Sequence, residues 1–224
     1  MEVYYDVPIT RTKRSRSESP EKILRKKSKT NSENFLTEPE SALRASGSVF
    51  SKNNKIYFYD AVDKYSITQL IKLLGKMEEK HLDYAIRNKC EPIPIYLHIN
   101  SYGGGVFQAF NAVDYIERMR VPVYTVIDGC AASAATIISV VGKKRFIGKY
   151  SFMLVHQLSS SFWGKLDKIE DEVENLRKLM TTIKNIYKKH TKINKKKLDD
   201  ILSKDLWWSS EECISQGLVD EILT

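Results

Sequence analysis

The chain has 224 residues, with 36 Lys or Arg against 28 Asp or Glu and a hydrophobic fraction of 42%. This length suits one large domain, or one domain with an arm. Nine Lys or Arg against two Glu lie between residues 11 and 29, so this short segment carries +7 of the net charge of +8. The remainder is nearly neutral, which argues against a nucleic-acid-binding core.

The cysteines and the hydropathy pattern restrict the location of the protein. Cys90, Cys130 and Cys213 are widely spaced and form no zinc-ligand pattern, which suits a reduced intracellular compartment. The N-terminus lacks the apolar core of a secretory signal, and the weakly polar stretch at residues 129–142 is too short to span a bilayer. We therefore expect a cytoplasmic protein without a metal site or membrane contact.

Residues 1–48 are expected to form a basic, mostly disordered N-terminal arm, because residues 10–48 have too few periodic apolar residues to fold alone. The basic runs at residues 13–16 and 25–27 resemble a nuclear-import or nucleic-acid-binding tail, but a solvated charge run is the favoured interpretation. A nuclear location and contact with nucleic acid therefore depend on this arm alone.

From residue 49 onward, apolar strands alternate with amphipathic helices. The pattern predicts strands at residues 55–59, 94–100, 121–127, 152–156 and 218–223, with helices at residues 66–79 and after the glycines at 103–105. Such an alternation predicts an α/β domain over residues 49–224, with parallel strands joined by right-handed crossovers.

A long amphipathic helix is predicted at about residues 164–189. Its apolar residues recur at spacings of three and four over three heptads, a pattern that needs a partner surface within the chain or on another subunit. These residues are Leu166, Ile169, Val173, Leu176, Met180, Ile183 and Tyr187.

The segment GCAASAA at residues 129–135 follows a predicted strand and leads into an apolar run that is expected to be helical. The small neighbours of Ser133 would let a substrate backbone approach closely, and a helix N-terminus presents free N–H groups. Taken alone, the segment is more typical of a packed turn with a serine N-cap than of a nucleophile.

A nucleophilic serine needs a base within reach and an acid that orients this base. His81 and His190 lie in polar helical stretches and are expected to be exposed, whereas His98 and His156 lie in apolar strands. Functional groups gather at the carboxyl ends of parallel strands, which would allow Ser133 and His156 to meet. From this pattern alone, a hydrogen-bonded core histidine is the favoured interpretation of His156.

Five sequence blocks together give a more specific indication than this one serine. In order along the chain they are INSYGG at residues 99–104, DGCAAS at 128–133, MLVHQ at 153–157, KDLWWS at 204–209 and GLVDEILT at 217–224. They resemble the successive signature blocks of the ClpP family of self-compartmentalising serine proteases, from about residue 49 to the C-terminus. The resemblance implies a crotonase-like α/β fold with a protruding handle helix, and a substrate-groove strand at residues 159–164.

The resemblance also implies the roles of individual residues. It places the nucleophile on Ser133, the general base on His156 and the orienting carboxylate on Asp205. The backbone N–H groups of Gly104 and Ala134 match the oxyanion hole of the family. The implied activity is that of a Clp-type proteolytic subunit, a serine endopeptidase that cleaves unfolded proteins and peptides through an acyl-enzyme.

The implied assembly is a tetradecamer of two stacked heptameric rings, whose handles interdigitate and close a chamber. A Clp-type ATPase would supply unfolded polypeptides, so ATP is used by that partner and the peptidase itself needs no cofactor. Two alternatives remain open: a catalytically silent structural subunit of a mixed ring, and a crotonase-type acyl-CoA enzyme, which shares the fold and the oxyanion hole.

Two of the departures from the family pattern concern the glycine-rich block and the pocket that binds the unfoldase. Tyr102 replaces a proline of the glycine-rich block, which also has an additional glycine, Gly105. His98, Arg118 and Asp128 stand where the family mostly has aromatic or aliphatic residues in the pocket that binds the unfoldase loops. Because burying unpaired charges against an apolar loop is costly, we expect altered docking: weakened binding of an ordinary unfoldase, or a divergent partner.

Overall fold

A computed structural model of the chain describes residues 48–223. The arm expected at residues 1–48 lies outside these residues except for Ser48. The described strands are β1 (Val49–Lys52), β2 (Lys55–Phe58), β3 (Ile95–Ser101), β4 (Val123–Ala132), β5 (Lys144–Gly148), β6 (Phe152–Leu154), β7 (Trp207–Trp208) and β8 (Glu221–Leu223). The described helices are α1 (Lys64–Asn88), α2 (Val106–Arg118), α3 (Ala134–Val140), α4 (Leu166–His190), α5 (Lys195–Leu202) and α6 (Ser210–Ser215).

The strands form one mixed sheet, which confirms the predicted α/β class. The hydrogen-bonded order is β1-β2-β3-β4-β5-β8, and β6 pairs with both β4 and β7. The β1–β2 and β6–β7 pairs are antiparallel, whereas β2, β3, β4, β5 and β8 run parallel. Parallel strands need crossover connections, and α1, α2 and α3 lie on those connections.

Strand β4 changes partner along its length. Its first half, to Ile127, pairs with β5, and its last three residues pair with β6. Between these halves the register with β3 shifts, because Ile99 faces Ile127 but Ser101 faces Ala131. Gly129 lies in this bulge with φ +75°, a conformation that favours glycine. The bulge sends the end of β4 towards β6 and the residues that follow it.

Helix α1 is longer than the sequence predicts and begins earlier. Asp63 is its N-cap and forms a capping box with Ser66, which the sequence suggested as the cap. The helix continues to Asn88 and buries one apolar face against the sheet. This extension makes the prediction for His81 wrong: the ring is buried, and its Nδ1 lies 2.6 Å from the carbonyl oxygen of Ile93.

Helix α4 lies close to the predicted boundaries and packs into the core, against helix α3, only near its C-terminal end. Ile183 and Tyr187 are buried, whereas Leu166, Ile169 and Val173 on the same seam are exposed. The strand expected at residues 159–164 is absent from the described chain. These residues follow β6 without a neighbouring strand to pair with, so their backbone gains no ladder hydrogen bonds.

Residues 48–223 contain no helix that is both long enough and apolar enough to cross a membrane.

Candidate active site

Ser133 occupies a strained turn between β4 and α3. Its backbone has φ 53° and ψ −126°, which non-glycine residues rarely adopt. Strain of this kind costs about 1–3 kcal/mol and persists only where the surroundings enforce it. The Ser133 amide donates to the carbonyl oxygen of Leu154 at 2.9 Å. The turn is therefore fixed against β6 at its first residue.

His156 follows β6 by two residues, and its side chain is 10% exposed. Ala132 pairs with Leu154 across β4 and β6, so Ser133 and His156 leave two neighbouring parallel strands at the same edge. Burial lowers the pKa of His156 below its usual range, and the nearby carboxylate of Asp205 partly opposes this shift. The ring is therefore neutral at neutral pH, as a general base must be.

Asp205 lies between α5 and β7. Its Oδ1 is 3.6 Å from Nδ1 of His156, and its side chain is 81% exposed. Two links hold this segment to β6 and the residues that follow it: Trp207 pairs with Leu154, and the Gln157 amide donates to the carbonyl oxygen of Leu202 at 3.0 Å. Nδ1 faces the acid, so Nε2 on the other side of the ring is the nitrogen available for proton transfer.

The glycines that follow β3 pack directly against the serine turn. A Cβ on Gly103 would lie 2.7 Å from Cβ of Ser133 and 3.0 Å from the amide nitrogen of Ala134. Any side chain at this position would displace the turn, so glycine is required for the close approach.

Gly104 has φ +148° and forms a parallel bridge with Val62. In this bridge Val62 donates to Gly103 and accepts from Gly105, so the N–H group of Gly104 points away from Val62. Ala134 is the first residue of α3, and the N–H groups of a first helical turn have no intrahelical acceptor. The Gly104 amide is thus directed away from Val62, and the Ala134 amide has no acceptor within its own helix; the resemblance assigns both amides to the oxyanion hole.

Sequence reasoning missed two contacts of this region. Val62 anchors the glycine loop through its backbone alone, and no sequence signal marks a residue whose side chain is not used. The rings of Tyr102 and Trp207 meet edge to face at 6.3 Å between centroids, which joins the glycine loop to the segment that carries Asp205. Tyr102, which stands where the family has proline, was the sequence signal for this ring contact.

Cys130 is another nucleophilic side chain near this turn. Burial raises the pKa of its thiol, and its Sγ lies 3.6 Å from Oδ1 of Asn100. A protonated thiol is a weak nucleophile. Cys130 therefore fits a packing role better than a catalytic one.

Two of the three polar residues expected in the pocket that binds the unfoldase loops contact each other. Asp128, in the β4 bulge, accepts hydrogen bonds through Oδ2 from Nδ1 of His98 at 2.7 Å and from the hydroxyl of Tyr59 at 2.6 Å. Tyr57 stacks on the His98 ring at 4.8 Å. Burial alone would raise the pKa of the Asp128 carboxyl, but the hydrogen bonds from His98 and Tyr59 together outweigh this effect and hold the pKa below its usual range. Arg118 does not join them and donates to the carbonyl oxygen of Asp114 on its own helix.

His190, which was expected to be exposed, is instead partly buried and lies 2.6 Å from Oε1 of Glu117. A cavity of about 560 Å³ is lined by Glu117, by its two partners Lys189 and His190, and by buried Arg145. None of the three predicted catalytic residues lines this cavity. Within residues 48–223, no group of three His, Cys, Asp or Glu could hold a metal ion.

Comparison with known proteins gives one consistent result. A family model described as Clp protease matches residues 40–224. The ATP-dependent Clp protease proteolytic subunit 2 of Treponema denticola is 31% identical over 180 residues, which cover 76% of this chain and 90% of that protein. The ATP-dependent Clp protease proteolytic subunit 1 of Protochlamydia amoebophila is 29% identical over 175 residues, which cover 76% of this chain and 81% of that protein. The corresponding subunit 1 of Chlamydia trachomatis is 27% identical over 175 residues, which cover 76% of this chain and 86% of that protein.

Proposed function

The chain belongs to the Clp protease family, and from this premise we propose that it is a serine endopeptidase, the proteolytic subunit of a Clp-type protease. Its substrates would be unfolded proteins and peptides, cleaved through an acyl-enzyme on Ser133. The observation that carries this proposal is the pairing of β4 with β6, which brings Ser133 and His156 to one edge of the sheet.

In the proposed mechanism, Oγ of Ser133 attacks the scissile carbonyl carbon while Nε2 of His156 takes the hydroxyl proton. His156 then returns this proton to the amide nitrogen as the C–N bond breaks, which leaves an ester on Ser133. Water attacks the ester with the same base and releases the carboxylic acid. Asp205 accepts a hydrogen bond from the Nδ1–H group of His156, without taking its proton, and stabilises the imidazolium that forms in each half-reaction.

The developing oxyanion would be bound by the N–H groups of Gly104 and Ala134. The orientation of Gly104 away from Val62 and the close packing of Gly103 on Ser133 support this assignment. Removal of one donor of this kind typically costs about 100- to 1,000-fold in rate. The chemistry uses only protein groups, so we propose that the subunit needs no cofactor and that any ATP is consumed by a partner.

Labelling with a fluorophosphonate, followed by mass spectrometry of the modified peptide, tests the proposal. We expect one adduct on Ser133 in the assembled wild-type protein and hydrolysis of small fluorogenic peptides. Ser133→Ala and His156→Ala should abolish both while native mass spectrometry shows an unchanged oligomer. Cys130→Ala is the matched control, because it changes a neighbouring small side chain and should retain labelling.

One observation favours a second candidate, a catalytically silent subunit of a mixed ring. The 3.6 Å separation between His156 and an exposed Asp205 is longer than an ordinary hydrogen bond, although catalytic hydrogen bonds are often long before substrate binds. The absence of an adduct on Ser133 in the assembled protein would establish this candidate and reject the endopeptidase.

The family implies oligomeric rings and a Clp ATPase partner. We propose a homo-oligomer of two stacked heptameric rings, in which α4 supplies the handle, because Leu166, Ile169 and Val173 leave an apolar seam exposed on this helix. Nucleic acid would contact only the basic arm, and salt-sensitive DNA binding that is lost on deletion of residues 1–48 would support such a contact.

We propose that docking of the ATPase is altered by the Tyr59–Asp128–His98 cluster. The Asp128 carboxylate is held by two hydrogen bonds, yet an apolar loop placed over it would still remove its remaining water. The double variant His98→Tyr with Asp128→Leu should bind an apolar-loop unfoldase at least about tenfold more tightly, the equivalent of 1.4 kcal/mol. Micromolar co-elution of the unmodified chain with such an unfoldase would reject the altered docking.

A further inference from the structure

We propose that Tyr187 and Thr136 are positioning residues, which hold the Ser133–Ala134 peptide so that the amide of Ala134 is aimed at the oxyanion. This inference rests on the proposed function and extends it to the base of helix α4, which lies far from the reacting atoms in sequence. No signature block of the family includes either residue.

Three hydrogen bonds carry the inference. The carbonyl oxygen of Ser133 accepts from the hydroxyl of Thr136 at 2.5 Å and from the Thr136 amide at 3.0 Å. The hydroxyl oxygen of Tyr187 lies 2.6 Å from Oγ1 of Thr136. Because the Thr136 proton is directed at Ser133, Tyr187 must donate its own proton to Thr136. Burial raises the pKa of Tyr187, which keeps this donor protonated.

The Ser133 carbonyl matters because of the planarity of the peptide bond. The C=O of Ser133 and the N–H of Ala134 belong to one rigid plane and point in opposite directions. Fixing the oxygen therefore fixes the direction of the N–H group. Without such a restraint, the strained backbone of Ser133 could relax by rotating this plane, and the rotation would turn the Ala134 amide away from the oxyanion.

The surroundings of the two hydroxyls argue against simple core packing. Thr136 and Tyr187 are fully buried among apolar side chains of α3 and α4. A buried polar group is costly unless its hydrogen bonds are made, and apolar residues of the same shape would fill the space without that requirement. Both hydroxyls are instead used in a chain that ends on the backbone of Ser133.

Removal of either hydroxyl tests the inference in the full-length, assembled protein. Tyr187→Phe and Thr136→Val should lower kcat for a fluorogenic peptide about tenfold, less than the 100- to 1,000-fold for complete loss of an oxyanion donor, with KM within about twofold. Affinity for a peptide aldehyde, whose tetrahedral adduct needs the same amide, should fall by a similar factor. Thr136→Ser retains the hydroxyl and should restore kcat to within about threefold of wild type.

Thr125→Val is the matched control. Thr125 is also a buried threonine of this core, and its hydroxyl donates to the carbonyl oxygen of Ser139 at 2.6 Å. This variant should lose thermal stability without a change in kcat or aldehyde affinity. Wild-type kcat in folded, assembled Tyr187→Phe and Thr136→Val would overturn the inference, and so would equal losses of kcat in Thr125→Val.

Labelling of the wild-type protein distinguishes failure of the proposed function from failure of this inference. If the fluorophosphonate does not label Ser133, the endopeptidase is rejected, and a crystal structure of Tyr187→Phe then decides the inference. A rotated Ser133–Ala134 peptide in that structure would support the positioning role. An unchanged peptide would refute it, whatever the activity of the wild-type chain.

Discussion

Replacement of Ser133 by glycine is expected to give an inactive protein that is more stable than the corresponding alanine variant. Ser133 has φ 53° and ψ −126°, where a Cβ atom is strained and glycine is not. Both substitutions remove the hydroxyl and its contacts. The difference between the two variants therefore isolates the cost of holding a side-chain-bearing residue in this turn.

The magnitude follows from two opposing effects. Release of the strain should stabilise the glycine variant by about 1–3 kcal/mol, while the greater freedom of glycine in the unfolded chain costs about 0.5–1 kcal/mol. The glycine variant should thus exceed the alanine variant by about 1 kcal/mol in free energy of unfolding, a net of those two effects. For a domain of this size, that difference corresponds to about 2–4 °C in Tm.

Urea unfolding at one fixed protein concentration measures the difference, because oligomerisation makes stability depend on concentration. Ser215, an exposed residue at the end of α6, provides the control. Its backbone is helical, so the order should reverse there and alanine should be the more stable substitution. If Ser133→Ala equals or exceeds Ser133→Gly in stability, the serine turn is not strained and the reasoning fails.

Three further predictions concern charge and backbone. Burial lowers the pKa of His156 and the Asp205 charge raises it, so Asp205→Asn should lower this pKa further. The acid limb of the kcat/KM profile should then move to lower pH, and the maximum rate should fall about 100-fold or more. Movement of the limb to higher pH would contradict the assigned roles. Arg145→Met leaves Asp220 and two carbonyl oxygens without their buried donor. The variant should lose about 2–4 kcal/mol of unfolding free energy in urea, somewhat less than for a fully buried pair, because the Asp220 carboxylate is partly exposed. Unchanged stability would show that the pair is dispensable. Gly104→Ala would place a Cβ 2.5 Å from the carbonyl oxygen of its bridge partner, so fluorophosphonate labelling should slow about 100-fold or more, and labelling at the wild-type rate would exclude this amide from the oxyanion hole.

The family and the fold class could be predicted because their signals are local. Glycines at a close approach, small residues around the serine and apolar strands with polar ends all appear as short blocks in the sequence. The match of the Clp protease model to residues 40–224 confirms the resemblance drawn from those blocks. The mixed sheet confirms the predicted alternation of strands and helices.

The errors arise where the outcome depends on residues distant in the chain. His81 is buried because α1 runs on to Asn88 and the chain then returns the carbonyl of Ile93 to its ring. The strand expected at residues 159–164 fails to form in the described chain because no neighbouring strand is available to it. Neither the contact of His81 with a later carbonyl nor the lack of a partner strand can be predicted from the polarity or composition of the segment itself.

The candidate site divides in the same way. A strand-to-helix turn marks Ser133, and the end of an apolar strand marks His156. Asp205 has no local signal at all and was identified only by resemblance, and its role stays a prediction. The link from Tyr187 to Thr136 spans 51 positions and joins two helices, so no pattern within either helix could have indicated it.

The position of Asp205 indicates which part of the site is least fixed. An exposed carboxylate acts through water, which weakens its effect on a neighbouring charge; accordingly burial, and not Asp205, has the larger influence on the pKa of His156. The segment that carries Asp205 is held by a two-residue strand, by the hydrogen bond from the Gln157 amide to Leu202, and by a ring contact between Tyr102 and Trp207. Any surface that covers this segment would exclude water from the acid, strengthen its interaction with His156 and raise the pKa of the base. Assembly is therefore the step at which we expect the acid to gain its full effect, since the serine turn and the glycine loop are already fixed within the single chain.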